Sequence, residues 1–215
     1  HGALCSLLDG RVASGLGYGN IMLWNVDDAV IGCKLTLKGH RDAVISLCVD
    51  KNGWLISGSG DNNIRVWNIT TGECLRVMIG HTELICSLAA LENGQVVSGS
   101  NDGIIKIWDT TSGSCLAMLS VNNDDAIFSF CSLRGGGFDS SHEDDDNSDN
   151  RIRIWLPSSS TSSSSNDDHG PSFVCAKVLE GHTEVVTSLC QLPDGRLVSG
   201  SWDNTIKIWD INTNT

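Results

Sequence analysis

The chain repeats itself, and a unit recurring about every forty residues must bury its apolar face against copies of itself. Tryptophan marks the period. Trp24, Trp67, Trp108, Trp155 and Trp209 close the runs LWN, VWN, IWD, IWL and IWD, at spacings of 43, 41, 47 and 54 residues. Gly-His pairs stand at Gly39-His40, Gly80-His81 and Gly181-His182, and in each case the next of these Trp lies 27 residues after the His. The intervening text is shared: SGSGDNNIRVW, SGSNDGIIKIW, SGSWDNTIKIW.

Within a unit the pattern is strand, turn, strand. In the last one, Val185–Cys190 is apolar and β-branched, LPDGR at 192–196 is a turn centred on Asp-Gly, and Leu197–Ser201 is a second strand. Asp203-Asn204 turns the chain again into Ile206–Trp209, where Ile206 and Ile208 share a face and Lys207 points away. Segments such as 74–80 supply a fourth strand. With 23 Gly, 3 Pro and no useful stretch of helical period, the chain reads as all-β, built of four-stranded antiparallel units.

These residues carry a resemblance. The Gly-His opening, the run of constant length and the closing Trp-Asp resemble the WD-repeat β-propeller family, and the likeness covers nearly the whole chain. It implies about five blades, near 1–38, 39–79, 80–120, 121–180 and 181–215, the first and last incomplete. A family ring usually has more blades, so the chain is expected to be an arc of a larger ring, completed by blades outside it. Two insertions explain the long Trp spacings. One is an acidic loop within 142–150; the other is a Ser-rich, low-complexity loop within 156–172 that is expected to be disordered.

His, Ser and Asp recur in threes: His40, Ser57, Asp61; His81, Ser98, Asp102; His182, Ser199, Asp203. Each set is followed by Trp67, Trp108 or Trp209. A catalytic triad needs one exposed nucleophile beside one base. Three equal copies point instead to a role that every blade requires: a buried network in which Asp and Ser take up the donors of His and Trp. The resemblance implies the same four residue types as a structural tetrad, and no catalytic residue is expected. Blade one keeps Ser14 and Trp24 but has Tyr18 at the Asp position. Blade four keeps Ser140, Asp149 and Trp155, has Asn122 where His should be, and is expected to be less well tied.

Eight of the nine Cys fall on two repeat positions: Cys5, Cys48, Cys131 and Cys190 on first strands, and Cys33, Cys74, Cys115 and Cys175 on fourth strands. They are expected to be small buried residues in a reducing compartment, a blade apart and too distant to pair. Cys86 alone is expected to be exposed. No CxxC spacing points to zinc, and no metal or cofactor is expected.

Fourteen Lys and Arg against 26 Asp and Glu give a net charge of −12, which argues against binding nucleic acid or inserting into a membrane. The longest apolar runs are too short for a membrane helix, and no secretory signal opens the chain, so a cytoplasmic or nuclear location is expected. The six acids between Asp139 and Asp149 read first as a solvated loop, then as a contact for a basic partner, and least as a calcium site, since EF-hand alternation is missing. Ser140 and Ser141, which precede acids, are candidate phosphorylation sites, as are Ser158 to Ser165.

The function expected is a non-catalytic scaffold or adaptor that binds partner proteins or peptides, basic ones among them, on its rim. The alternatives are a substrate-recruiting or regulatory domain of a ubiquitin ligase or kinase, and a G-protein β-like subunit. The resemblance places rim contacts third and fifth after the Gly-His histidine and just before the tetrad Asp. These are Ala43, Ile45 and Gly60; Leu84, Cys86 and Asn101; Ala126, Phe128 and Ser148; Val185, Thr187 and Trp202. Phe128 and Trp202 are the expected anchors, because aromatic side chains dominate interface energetics.

Overall fold

The computed structural model describes residues 3–26, 32–120, 126–143, 150–158 and 171–211. Ser148, Asn122, Asp149 and most of both insertions, 144–149 and 159–170, lie outside the described residues. Among the described residues there is no helix, and therefore none long and apolar enough to cross a membrane.

Among the described residues nineteen strands form five antiparallel sheets, each a meander in chain order. The first sheet is β1 (Leu4–Ser6), β2 (Val12–Gly15), β3 (Asn20–Asn25) and β4 (Gly32–Lys38). The second is β5 (Val44–Val49), β6 (Leu55–Ser59), β7 (Ile64–Trp67) and β8 (Cys74–Met78). The third is β9 (Ile85–Ala90), β10 (Gln95–Ser100), β11 (Ile104–Asp109) and β12 (Cys115–Ser120). The fourth is β13 (Ala126–Ser132), β14 (Phe138–Glu143), β15 (Ile152–Pro157) and β16 (Phe173–Leu179). The fifth has three strands, β17 (Val186–Gln191), β18 (Leu197–Ser201) and β19 (Ile206–Trp209). This is the all-β propeller architecture that the repeats imply.

Turn chemistry sets the meander. The link from second to third strand needs a left-handed residue, and Gly19, Asn62, Gly103 and Asn204 supply it at φ of 77, 66, 71 and 62°. At Gly19 a Cβ would stand 2.4 Å from the His40 carbonyl oxygen, so only glycine fits there.

The core lies between the sheets. Each first strand packs beside the first strand of the next sheet. Ile105 and Ile107 of β11 bury against Ile127, Phe130 and Phe138 of the fourth sheet; Ile152 and Ile154 of β15 bury against Val186, Leu189 and Leu197 of the fifth. Period-2 alternation puts these third-strand pairs on one face, and stacking covers it. In the fifth sheet the same pair, Ile206 and Ile208, stays 76% and 56% exposed, whereas Ile64, Val66, Ile105 and Ile107 are at 0%.

Candidate functional site

In the second sheet one polar clasp joins the entry to the first strand with the second and third strands. Ser57 Oγ accepts the Trp67 indole N–H (2.8 Å) and donates to His40 Nε2 (2.7 Å), while His40 Nδ1–H donates to the Asp61 carboxylate (3.0 Å). With the imidazole proton on Nδ1, every member has a partner. The geometry recurs with His81, Ser98, Asp102 and Trp108 at 2.8 Å for all three links, and with His182, Ser199, Asp203 and Trp209 at 2.6, 2.7 and 2.8 Å. The carboxylates also accept the backbone N–H of Arg41, Thr82 and Thr183.

Burial drives His40 below its ordinary pKa, against the pull of Asp61, so the ring is neutral. Burial also works to raise Asp61 and Asp102, but hydrogen bonds from the histidines and from backbone N–H groups hold both carboxyls below the usual range. Asp203 is held low against burial in the same way, by Thr205, His182 and the backbone N–H of Thr183. Ser57, Ser98 and Ser199 are fully buried, so the clasps offer no hydroxyl to a substrate.

Blade one holds the Ser14–Trp24 bond at 2.8 Å, and Tyr18 is 91% exposed, outside any clasp. Blade four corrects the expectation that it lacks histidine. His142, two residues after Ser140 and therefore on the same face of β14, brings its Nε2 to 2.7 Å from Ser140 Oγ, which also accepts the Trp155 N–H at 2.8 Å. The sequence signal is a His where the other blades carry Ser59, Ser100 and Ser201. Burial, with the charge of Arg153, pushes His142 down to about 3. Ser140 and Ser141 are fully buried too, which removes them as phosphorylation sites.

The predicted rim positions come together pairwise. Gly60 N–H donates to the Ala43 carbonyl (2.9 Å), Asn101 N–H to Leu84 (3.1 Å) and Trp202 N–H to Val185 (3.0 Å). Cys86 Sγ lies 3.0 Å from Asn101 Oδ1, and Thr187 Oγ1 donates to the Gly200 carbonyl at 3.4 Å. Ile45, Ala126 and Phe128 are half-buried, and Asn101 is exposed. Val185 is the exception. Its equivalents Ala43, Leu84 and Ala126 are half-buried, but Val185 is at 0% exposure and presents no side chain to a partner. Phe128 and Trp202 meet edge to face, ring centroids 6.4 Å apart, across the seam between the fourth and fifth sheets; Trp202 remains 52% exposed. The sequence reading missed one feature of this rim. Asp42, Glu83 and Glu184 hold the same register, second after each clasp histidine, and all three are exposed.

The cysteines depart from expectation. Cys33, Cys115, Cys175 and Cys190 are exposed and the rest, Cys86 among them, are half-buried; all are free thiols. Fourth strands are outermost, so their alternating face meets solvent. First strands of successive sheets adjoin. The Gln191 N–H, next in chain to Cys190, donates to Cys131 Sγ at 3.1 Å. Among the described residues no cluster of three metal-ligating side chains occurs.

Clasped four-stranded sheets around a shared set of first strands define a repeat-built β-propeller. The family model for the WD domain, G-beta repeat, matches residues 31–68, 72–109 and 173–210, more than half of the chain, and the chain belongs to the WD40 family. It is 40% identical over 55 residues to a ribosome biogenesis protein WDR12 homolog of Culex quinquefasciatus, covering 26% of this chain and 13% of that protein. A homolog of the same name from Trichoplax adhaerens is 45% identical over 47 residues, covering 21% and 11%. Among solved structures, a chain of the mitotic checkpoint complex superposes with a TM-score of 0.77 at 22% identity, over 94% of this chain and 59% of that one; this likeness shows the fold alone. The computationally designed Ika8 protein gives 0.71 at 30% identity, over 97% and 57%.

Proposed function

We propose that this chain is a non-catalytic scaffold that docks cationic segments of partner proteins on the rim carrying Phe128 and Trp202. The observation behind this reading is the pairing of a half-exposed aromatic edge with exposed Asp42, Glu83 and Glu184 on one rim. Aromatic faces and carboxylates together attract Lys and Arg, and the net charge of −12 steers such segments in. Buried clasp serines support the absence of an active site. The uncovered Ile206 and Ile208 support an arc that a further blade completes. The name of the matched relatives favours a role in ribosome biogenesis over the ubiquitin-ligase, kinase and G-protein alternatives.

The test is titration of fluorescent Lys/Arg-rich peptides and charge-reversed controls. Trp202→Ala should weaken the basic peptides about tenfold, in line with an interface anchor, without moving the melting midpoint. Joint replacement of Asp42, Glu83 and Glu184 by their amides should flatten the salt dependence. Equal binding of acidic and basic peptides, or unfolding of Trp202→Ala, refutes the reading.

A further inference from the structure

Every seam inside the molecule joins the same two kinds of face. One sheet offers its third-strand apolar pair, and the next offers large apolar residues on its first and second strands with the Trp of its third. At the second seam, Ile64 and Val66 bury with Leu88, Val96 and Trp108. A second-strand glycine is the socket of each seam. A Cβ at Gly58 would stand 2.5 Å from Ile85 Cγ2 and 3.3 Å from Leu88 Cδ1; one at Gly99 would stand 2.5 Å from Ile127 Cγ2 and 2.7 Å from Phe130 Cε2. Among the described residues two such faces remain uncovered. On the fifth sheet, Ile206 and Ile208 are exposed, Val198 shares their face, and a Cβ at Gly200 would meet nothing within 4 Å. On the first sheet, Leu4 is 71% exposed and Val12 and Trp24 are only half-buried, whereas Trp67 and Trp108 are at 1%. Strand pairing sets Leu4 beside Ser14 and Val12 beside Trp24, just as it sets Leu47 beside Ser57 and Leu55 beside Trp67. The uncovered face of the first sheet is therefore the one that the second sheet buries against its neighbour.

We propose that these two faces cover one another between copies of the chain: the fifth sheet of one copy stacks on the first sheet of a second, head to tail. The inference rests on reading the chain as an arc, and it names what completes that arc. The bare fifth face calls for a sheet that carries a bulky apolar residue on its first strand, another on its second and Trp on its third. Leu4, Val12 and Trp24 are that set. Leu4 holds the register of Leu88 and Phe130, the side chains that reach the Gly58 and Gly99 sockets, and so it is the side chain for the empty socket at Gly200. Burying these water-exposed apolar groups drives the contact. The two faces differ, so the contact is heterologous: each copy that pairs keeps one free face, and the assembly grows until a face is capped. A charge of −12 on each copy opposes the approach, and added salt therefore strengthens the contact.

The experiment follows the full chain by analytical ultracentrifugation over a concentration series at low and high salt. Wild type should gain mass with concentration, and more so at high salt. Ile206→Lys with Ile208→Lys blocks the fifth-sheet face, and Leu4→Lys with Ser6→Lys blocks the first-sheet face. All four side chains are exposed, so both variants should melt as wild type does. Each variant alone should stay a single copy. Mixed, they should form a complex of one copy of each that grows no further, because the remaining intact faces are then used up. Gly200→Ala adds one methyl group where the folded chain leaves room; it should weaken association about tenfold and leave the melting midpoint in place. The proposal is overturned if wild type stays a single copy at every concentration, if either blocked variant self-associates, if the mixture forms no complex, or if Gly200→Ala associates as wild type does. Peptide binding at the rim uses neither face. It should persist in both blocked variants and weaken with salt, so failure of the rim reading and failure of this one are seen separately.

Discussion

Replacing Asp139 with Val gives the fourth sheet the kind of residue its neighbours use, since Ile56, Val97 and Val198 occupy the same register. Asp139 is completely buried. Its Oδ1 accepts the Cys131 N–H at 2.6 Å, Oδ2 has no partner, and burial raises the carboxyl to about 8. The folded protein therefore retains a proton that the unfolded chain releases near pH 4. Stability from this group is whole below pH ~4 and falls as pH rises, until the folded group ionises near 8. At about 1.4 kcal/mol per unit, the cost at pH 7 is on the order of 4 kcal/mol. Valine forfeits the bond from Cys131, worth about 1 kcal/mol, for a net gain on the order of 3 kcal/mol. That corresponds to a melting midpoint raised by about 5–10 °C. His142 titrates in the opposite sense. Held down to about 3 in the fold, it contributes stability above pH ~6.5 that is lost as pH falls toward 3. The clean window is therefore about pH 6.5 to 8. There, denaturant unfolding should show wild type losing on the order of 2 kcal/mol, with Asp139→Val and Asp139→Asn nearly flat. Parallel profiles for the three proteins, or a less stable Val variant at pH 7.5, would refute the argument.

His142→Ala should destabilise by about 1–3 kcal/mol, because Ser140 loses a buried partner; unchanged denaturant midpoints would show that blade four does not rely on it. His182→Ala should cost a similar amount, about 1–3 kcal/mol from stranded Ser199, with no loss of any hydrolytic activity, and urea titration beside an esterase assay checks both. Lysine at Ile206 and Ile208 should leave the melting midpoint within about 1 °C and reduce self-association in light scattering, as expected for exposed positions. A large loss of stability there would mean that the face is already covered.

Much of this molecule can be read from one dimension. The clasp spacings are legible because His, Ser, Asp and Trp recur at fixed offsets in three copies, and chance does not repeat a register. The third-strand pairs, Ile64 with Val66 and Ile105 with Ile107, are legible because a strand alternates its faces. His142 was not. It replaces a missing partner from a different strand position, and only strand geometry shows that two residues beyond Ser140 reach the same hydroxyl. Val185 also escaped, because its equivalents Ala43, Leu84 and Ala126 stay half-buried and only the packed sheets show it covered.

The sequence alone determined the number of sheets, their strand order and the residues of each complete clasp, since these depend on local periodicity and turn chemistry repeated from unit to unit. Tertiary structure decided what happens where units meet: the burial of Asp139, the contact of Phe128 with Trp202, the contact of Cys131 with the Gln191 N–H, and the exposure of Ile206 and Ile208. Those depend on how far one sheet stands from the next and on whether a neighbour covers it, and the spacing of residues along a single chain does not encode a distance between sheets.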